Sequence, residues 1–317
     1  MEQKNEVICM GLCGVDVSVQ GLDSARFFHQ ESTPALRTRL CAGGDAVNQS
    51  MTLARLGHRP ALMASVGEDD AGRCLRACLA EAGVDISALK TCPDCDTSVG
   101  VLVVGENDRR HAVPSTDRSS NRRFDLDNVD FAAFEGARVV SFASLFCFPR
   151  MDDGKLTEIF RRARAAGALT CADTKLTAAG SFGDFPQAMT CLDYLFVNQD
   201  EAAGYSGRED PEEIADYFLG LGIRHVLIKL GKQGCFIRSG TEAYRLSSFP
   251  VETVDTVGAG DNFAAGFISA LLRGCSFRDC AVFATATAAL TVASLGSSTG
   301  VRSMEQVRSF LAARPPL

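Results

Sequence analysis

The sequence predicts an α/β fold: a three-layer, doubly wound, mostly parallel sheet carrying a small β-sheet lid. Two observations lead there. Short apolar runs of strand length alternate with amphipathic helical stretches that end in glycine, the pattern of strands covered by helices on both faces. Four further runs, at about 15–20, 36–41, 97–105 and 110–113, interrupt that rhythm with polar–apolar alternation or a hairpin and can form a separate small sheet. With 317 residues, 46% of them hydrophobic and 22% charged, one unit over 1–317 buries a sufficient core.

The elements follow in order. Val7 to Leu12 is a buried strand, and Val15, Val17 and Val19 alternate with Asp16, Ser18 and Gln20 as a half-exposed one. After the strand at 36–41, Gly43-Gly44-Asp45 starts a helix carrying Val47, Met51, Leu53 and Leu56, with Gly57 to end it. Ala61 to Val66 is a strand and Ala71 to Ala82 a helix. Thr97 to Gly105 and Arg110 to Val113 form a hairpin about Glu106-Asn107-Asp108. The α/β rhythm resumes with a strand at 138–142, a helix at 152–166, strands at 169–173 and 194–197, and a helix at 211–221. Strands at 225–230 and 235–237 follow, then helices from about 277 to 294 and 303 to 312.

The stretch Asp255 to Phe267 stands out. It is expected to open as strand, pass through Gly258 and Gly260, and run into a helix with Phe263, Phe267, Ala270 and Leu271 on one face. The free N–H groups at such a helix start, with the positive end of the macrodipole behind them, suit an anion. Asp261 at its mouth either caps the helix or takes a proton from a hydroxyl brought near that anion.

Composition excludes several classes. Lys and Arg total 32 against 39 Asp and Glu, a net charge of −7, which argues against a nucleic-acid or anionic-membrane binder. No run approaches the ~20 apolar residues of a membrane span, and the charged start shows no signal-peptide core, so a cytoplasmic protein is expected. Most of the 13 cysteines, such as Cys9, Cys147, Cys171 and Cys235, sit in apolar patterns and read as buried reduced thiols. Cys92-Pro93-Asp94-Cys95 lacks the partners of a zinc site and reads as a loop more prone to oxidation than to metal binding. Gly11 to Gly14 fails as a dinucleotide fingerprint, having neither a third glycine nor a following helix, which disfavours a nicotinamide-dependent dehydrogenase.

Two separated signatures, Gly43-Gly44-Asp45-Ala46-Val47-Asn48 with Leu53-Ala54-Arg55-Leu56-Gly57, and Asp255 to Phe267, resemble those of the ribokinase-like (PfkB) carbohydrate kinase family. The resemblance covers essentially the whole chain. It implies transfer of the γ-phosphoryl group of ATP to a hydroxyl of a small unphosphorylated monosaccharide: ribose, fructose or a 2-keto-3-deoxy sugar acid. A nucleoside kinase and a non-catalytic sugar or nucleotide sensor are the alternatives on the same fold. Asp261 is implied as the general base, with the amides of Gly258, Ala259 and Gly260 holding the transferred phosphate. Asp16, Gly43, Gly44 and Asn48 match sugar-contacting positions. Lys229, Gly231 and Gly234 match the nucleotide loop, and Asn198 and Glu201 an N-x-x-E motif tied to Mg2+, with Glu201 acting through water. Asp255 and the 296–299 loop match a region that holds a monovalent cation such as K+ in some members.

The chain departs from the pattern at Thr285, where many relatives have Asn, and at Asp173-Thr174-Lys175, where fructokinase-like members have D-x-N. Arg109 and Arg110 at the lid turn are placed to meet an acidic sugar or solvent. Exposed lid strands are expected to pair two subunits into a homodimer.

Overall fold

A computed structural model describes residues 4–23, 26, 29–105, 110–175 and 180–317. The hairpin tip at 106–109, with Arg109, lies outside the described residues, and Arg110 is described by its backbone alone.

The larger sheet takes strands β1 (Val7–Gly11), β4 (Pro60–Gly67), β5 (Leu89–Cys92), β8 (Val139–Leu145), β9 (Leu169–Thr174), β10 (Tyr194–Asn198), β11 (His225–Lys229), β12 (Cys235–Ser239) and β13 (Ala243–Leu246). Their spatial order is β13-β12-β11-β10-β9-β8-β1-β4-β5, parallel throughout except that β12, near one edge, pairs antiparallel with both β11 and β13. The order reverses around β1, and such a switch point opens a crevice at the carboxyl ends of the strands.

Helices α1 (Asp45–Arg55), α2 (Asp70–Glu81), α8 (Ala259–Leu272) and α9 (Phe277–Val292) cover one face. The other carries α3 (Ser120–Arg123), α4 (Asp153–Ala165), α5 (Pro186–Thr190), α6 (Gln199–Ser206) and α7 (Pro211–Gly220). Strand β1 shows why the pattern reads as a continuous apolar run: Val7 and Cys9 join the core under α1 and α8, while Ile8 and Met10 join the core under α4 and α7. A last helix, α10 (Met304–Ala312), packs with α9 and Phe249 over a small satellite core. No helix among the described residues is long and apolar enough to cross a membrane.

The second sheet holds β2 (Gly14–Leu22), β3 (Arg37–Gly43), β6 (Val99–Gly105) and β7 (Arg110–Pro114), in the order β3-β2-β6-β7. The four interrupting runs of the sequence therefore do assemble with one another.

One expectation fails: the chain before α8 is not a strand. Val254 and Asp255 donate their amides to the Val292 carbonyl at the end of α9, at 2.8 and 3.1 Å, so their donors are spent on a helix end. The short elements α3, α5, β5 and β13, four or five residues each, had too few residues to show a period. Cys92 and Cys95 are joined by a disulfide across the turn that follows β5, while Cys9, Cys171 and Cys235 are buried free thiols.

Candidate active site

Two cavities flank the start of α8, and both are lined by Lys229 and Gly260. One, of about 560 Å³, lies between the sheets and holds Asp16, Gly43, Gly44, Asn48, Asp261 and Glu201. The other, of about 780 Å³, lies between the β11–β12 turn and α9 and includes Gly231, Gly234, Phe249, Thr285 and Ala289. The helix start thus separates a polar chamber from a more apolar one.

The local geometry explains the residue types. Gly258 caps α8 at φ 76°, and a Cβ there would lie 2.3 Å from the Ser297 carbonyl oxygen, so only glycine permits this turn. The Ala259 amide donates to Thr256 at 3.3 Å, while the amides of Gly258 and Gly260 make no backbone bond among the described residues and are the donors left for an anion. A Cβ on Gly260 would lie 2.9 Å from Lys229 Nζ; the missing side chain is what brings the ammonium up to the turn.

Asp261 does not cap the helix, whose start has no side-chain cap. Its Oδ2 instead accepts a bond of 2.7 Å from Asn48 Nδ2, across 213 residues of sequence. Asn48 is buried and fixed in turn, since Ser297 Oγ donates to its Oδ1 at 2.9 Å. Beside it Asn262 donates to the carbonyls of Gly258 and Ser297, both at 2.7 Å, and accepts from Thr52 at 2.6 Å, which ties α1, α8 and the 296–299 loop together. Asn262 is a support that sequence reasoning did not single out, and Ser297, read from the sequence as part of a cation loop, here positions Asn48.

On the lid, Asp16 stands opposite Cys41 and Gly100 in its two flanking strands. A Cβ on Gly43 would fall 2.2 Å from its Oδ2, and one on Gly100 2.7 Å from its Oδ1, so both glycines make room for the carboxylate. Gly100 was not foreseen. Gly44, at φ 98°, lets the start of α1 close onto the Leu12 carbonyl.

The ends of the parallel strands supply the rest. Asn198 and Lys229 are register partners at the ends of β10 and β11. Asn198 and Glu201 form a capping box: Asn198 Oδ1 accepts from the Glu201 amide at 2.8 Å and Glu201 Oε2 from the Asn198 amide at 3.4 Å. Thr174 Oγ1 also donates to Glu201 Oε2, at 3.2 Å, which leaves the other carboxylate oxygen for a hydrated cation. Gly231 and Gly234, at φ 58° and 94°, shape the β11–β12 turn, and a Cβ on Gly234 would collide with the Leu246 carbonyl. Asp255 is committed to backbone: its oxygens accept from the amides of Val257 and Gly296, both at 3.0 Å, so it braces the loop whose carbonyls would face a cation. Thr285 lines the apolar chamber and donates to the Ala281 carbonyl at 2.8 Å.

The polar chamber is crowded with carboxylates. Burial, then Asp45 and Asp173, push the Asp261 carboxyl well above the usual carboxylate range, opposed by the Asn48 bond and Lys229. Burial and Asp45 likewise raise Asp173 to about 7, against the pull of Lys229 and the Ser144 amide. Asp16 is raised by burial and Asp45, and Glu201 by burial, with Lys175 and Lys229 respectively opposing. A cation entering this chamber therefore favours the charged form of every carboxylate in it.

The description pfkB family carbohydrate kinase matches residues 4–304. A 2-dehydro-3-deoxygluconokinase of Bacillus subtilis is 32% identical over 295 residues, spanning 86% of this chain and 87% of that protein. A ribokinase of Haemophilus influenzae is 24% identical, over 86% of this chain and 88% of its own. The Arabidopsis thaliana ribokinase solved with ribose and ATP has the same fold, with a TM-score of 0.81 at 22% identity over 98% of this chain and 99% of that one. The chain belongs to the pfkB family of carbohydrate kinases and is an ATP-dependent carbohydrate kinase.

Proposed function

We propose that this kinase passes the γ-phosphoryl group of ATP to a hydroxyl of a small unphosphorylated monosaccharide, in the class of ribose, fructose or a 2-keto-3-deoxy sugar acid. The observation that carries this reading is Asp261, turned away from capping and held by Asn48 in the polar chamber, next to Gly260, which lines both chambers. The acceptor enters the polar chamber between Asp16, Gly43, Gly44 and Asn48, and ATP the chamber of Gly231 and Gly234. Asp261 takes the proton from the acceptor hydroxyl as the phosphoryl group crosses the amides of Gly258 and Gly260, with Ala259 completing the turn. Lys229 faces the phosphates from beside Gly260.

Glu201 suits a magnesium ion held through water, with Asn198 orienting it, and the loop braced by Asp255 suits a monovalent cation such as K+. When bound, magnesium would neutralise phosphate charge. The chain works as one unit over 1–317, its lid excluding water from the transfer, and in the cytoplasm. Leu36 and Leu40, 87% and 60% exposed beside and on lid strand β3, suit a homodimer through the lid.

A nucleoside acceptor is the second reading, supported by the apolar lid wall of Val101, Leu102, Ala112 and Pro114, against which a base could pack. ADP release over a panel of sugars, sugar acids and nucleosides tests both. Asp261→Asn should lower kcat by roughly 10²–10⁴-fold while ATP still binds by titration. Near wild-type turnover in that variant would sink the base assignment.

A further inference from the structure

Lys175 has no task in the roles above, yet its position is built. It follows β9, two residues beyond buried Asp173, and lines the polar chamber. The Tyr205 hydroxyl donates to the Lys175 carbonyl at 2.9 Å, and Tyr205 packs edge-on against Phe146 and Phe182, with ring centres 5.5 and 5.2 Å apart. In the same chamber Asp45 opens α1 and accepts from Ser144 Oγ. Ser144 is held at φ 59°, in the left-handed region, and its amide donates to Asp173 Oδ1 at 2.5 Å. One strained residue therefore positions two carboxylates of this wall.

The Lys175 ammonium, in contrast, donates to no group among the described residues, although Asp45 acts on it first, then Cys147, Asp261 and Asp16. It lies within the field of both the proposed base and the proposed sugar-binding carboxylate, where an acceptor molecule must sit. An ammonium offers three donors and no acceptor, and a carboxylate offers only acceptors, so Lys175 and Asp45 together match adjacent hydroxyl groups. A substrate carboxylate would compete with Asp45, Asp261 and Asp16 for the Lys175 ammonium. The described lid residues facing the chamber, Val101, Leu102, Ala112 and Pro114, add no cation.

Resting on the kinase reading of this chamber and narrowing it, we propose that Lys175, set against Asp45, is a specificity-determining residue that selects a neutral polyhydroxylated acceptor over a sugar acid. Among the described residues lining this chamber, the carboxylates of Asp16, Asp45, Asp173, Glu201 and Asp261 outnumber the ammonium groups of Lys175 and Lys229.

The test measures ADP release with neutral sugars, each paired with an acid of the same carbon skeleton. Wild-type enzyme should favour the neutral member in kcat/KM by roughly ten-fold or more. Lys175→Gln should raise KM for the neutral acceptor about ten-fold while KM for ATP stays within about two-fold. Asp45→Asn removes a negative neighbour of the ammonium and should move the acid-to-neutral ratio about ten-fold towards the acid. Should Asp45→Asn not fold, by its thermal melt, Lys175→Glu replaces it and should abolish use of any acid while the neutral sugar is still turned over. Preference of the wild type for the acid, or a ratio unmoved by these variants, overturns the proposal while the ADP released upholds the kinase. No release with any acceptor would sink both.

Discussion

Asp261 and Asp173 are paired by electrostatics, because burial and a shared field raise both carboxyls above the usual range. A raised carboxyl is held protonated in the folded chain, so its contribution to stability is present below the unfolded value near ~4 and is lost as pH rises through the folded value. For Asp173, raised to about 7, that loss falls between mildly acidic and neutral pH. The ligand-free enzyme should therefore melt at a lower temperature at pH 8 than at pH 5, and Asp173→Asn should flatten that slope in scanning calorimetry. The same substitution removes a negative neighbour of Asp261, so the acidic limb of kcat/KM should move to lower pH. A limb that stayed in place would mean that Asp173 does not act on the base.

Individual elements carry separable tasks. Strand β3 ends in Gly43, whose missing Cβ leaves space for the Asp16 carboxylate on β2. Gly43→Ala should raise KM for the acceptor at least about ten-fold and leave KM for ATP unchanged, since the chamber proposed for the nucleotide lies on the other side of the α8 start. Equal losses in both constants would contradict that division. Helix α8 also anchors the core: Phe267 is fully buried, with the rings of Tyr194 and Phe196 both 5.5 Å from its own. Phe267→Ala should cost about 3–5 kcal/mol, read from urea unfolding. A loss below about 1 kcal/mol would mean that the surrounding residues collapse into the space.

At the scale of the whole molecule, the parallel sheet brings its strand ends to one edge, the lid sheet faces that edge, and α8 begins between them. The lid's two opposite edge strands carry exposed apolar side chains, Leu40 on β3 and Val113 on β7, 60% and 51% exposed. If copies pair through β3, Leu40→Glu should convert a dimer to a monomer in light scattering, because a charge buried without a partner opposes association. A wild type that is monomeric at all concentrations would exclude the pairing.

Much of this was legible in the residues themselves. Apolar runs and glycine stops marked most strands and helices, since a strand buried on both faces and a helix end leave local marks. Two glycines beside Asp261, and Gly43-Gly44 before Asn48, marked two parts of the site, because a phosphate turn and close backbone approach demand glycine wherever they occur. Local pattern could not tell whether Asp261 caps its helix, and it misread the chain before α8 as strand. In the folded protein Asn48 supplies the partner for Asp261 from 213 residues away, and the end of α9 takes the amides of Val254 and Asp255. The meeting of Asp45, Asp173, Lys175 and Asp261 is likewise a matter of tertiary structure alone. Charge coupling depends on distance and burial, and both are set by contacts between elements far apart in the chain.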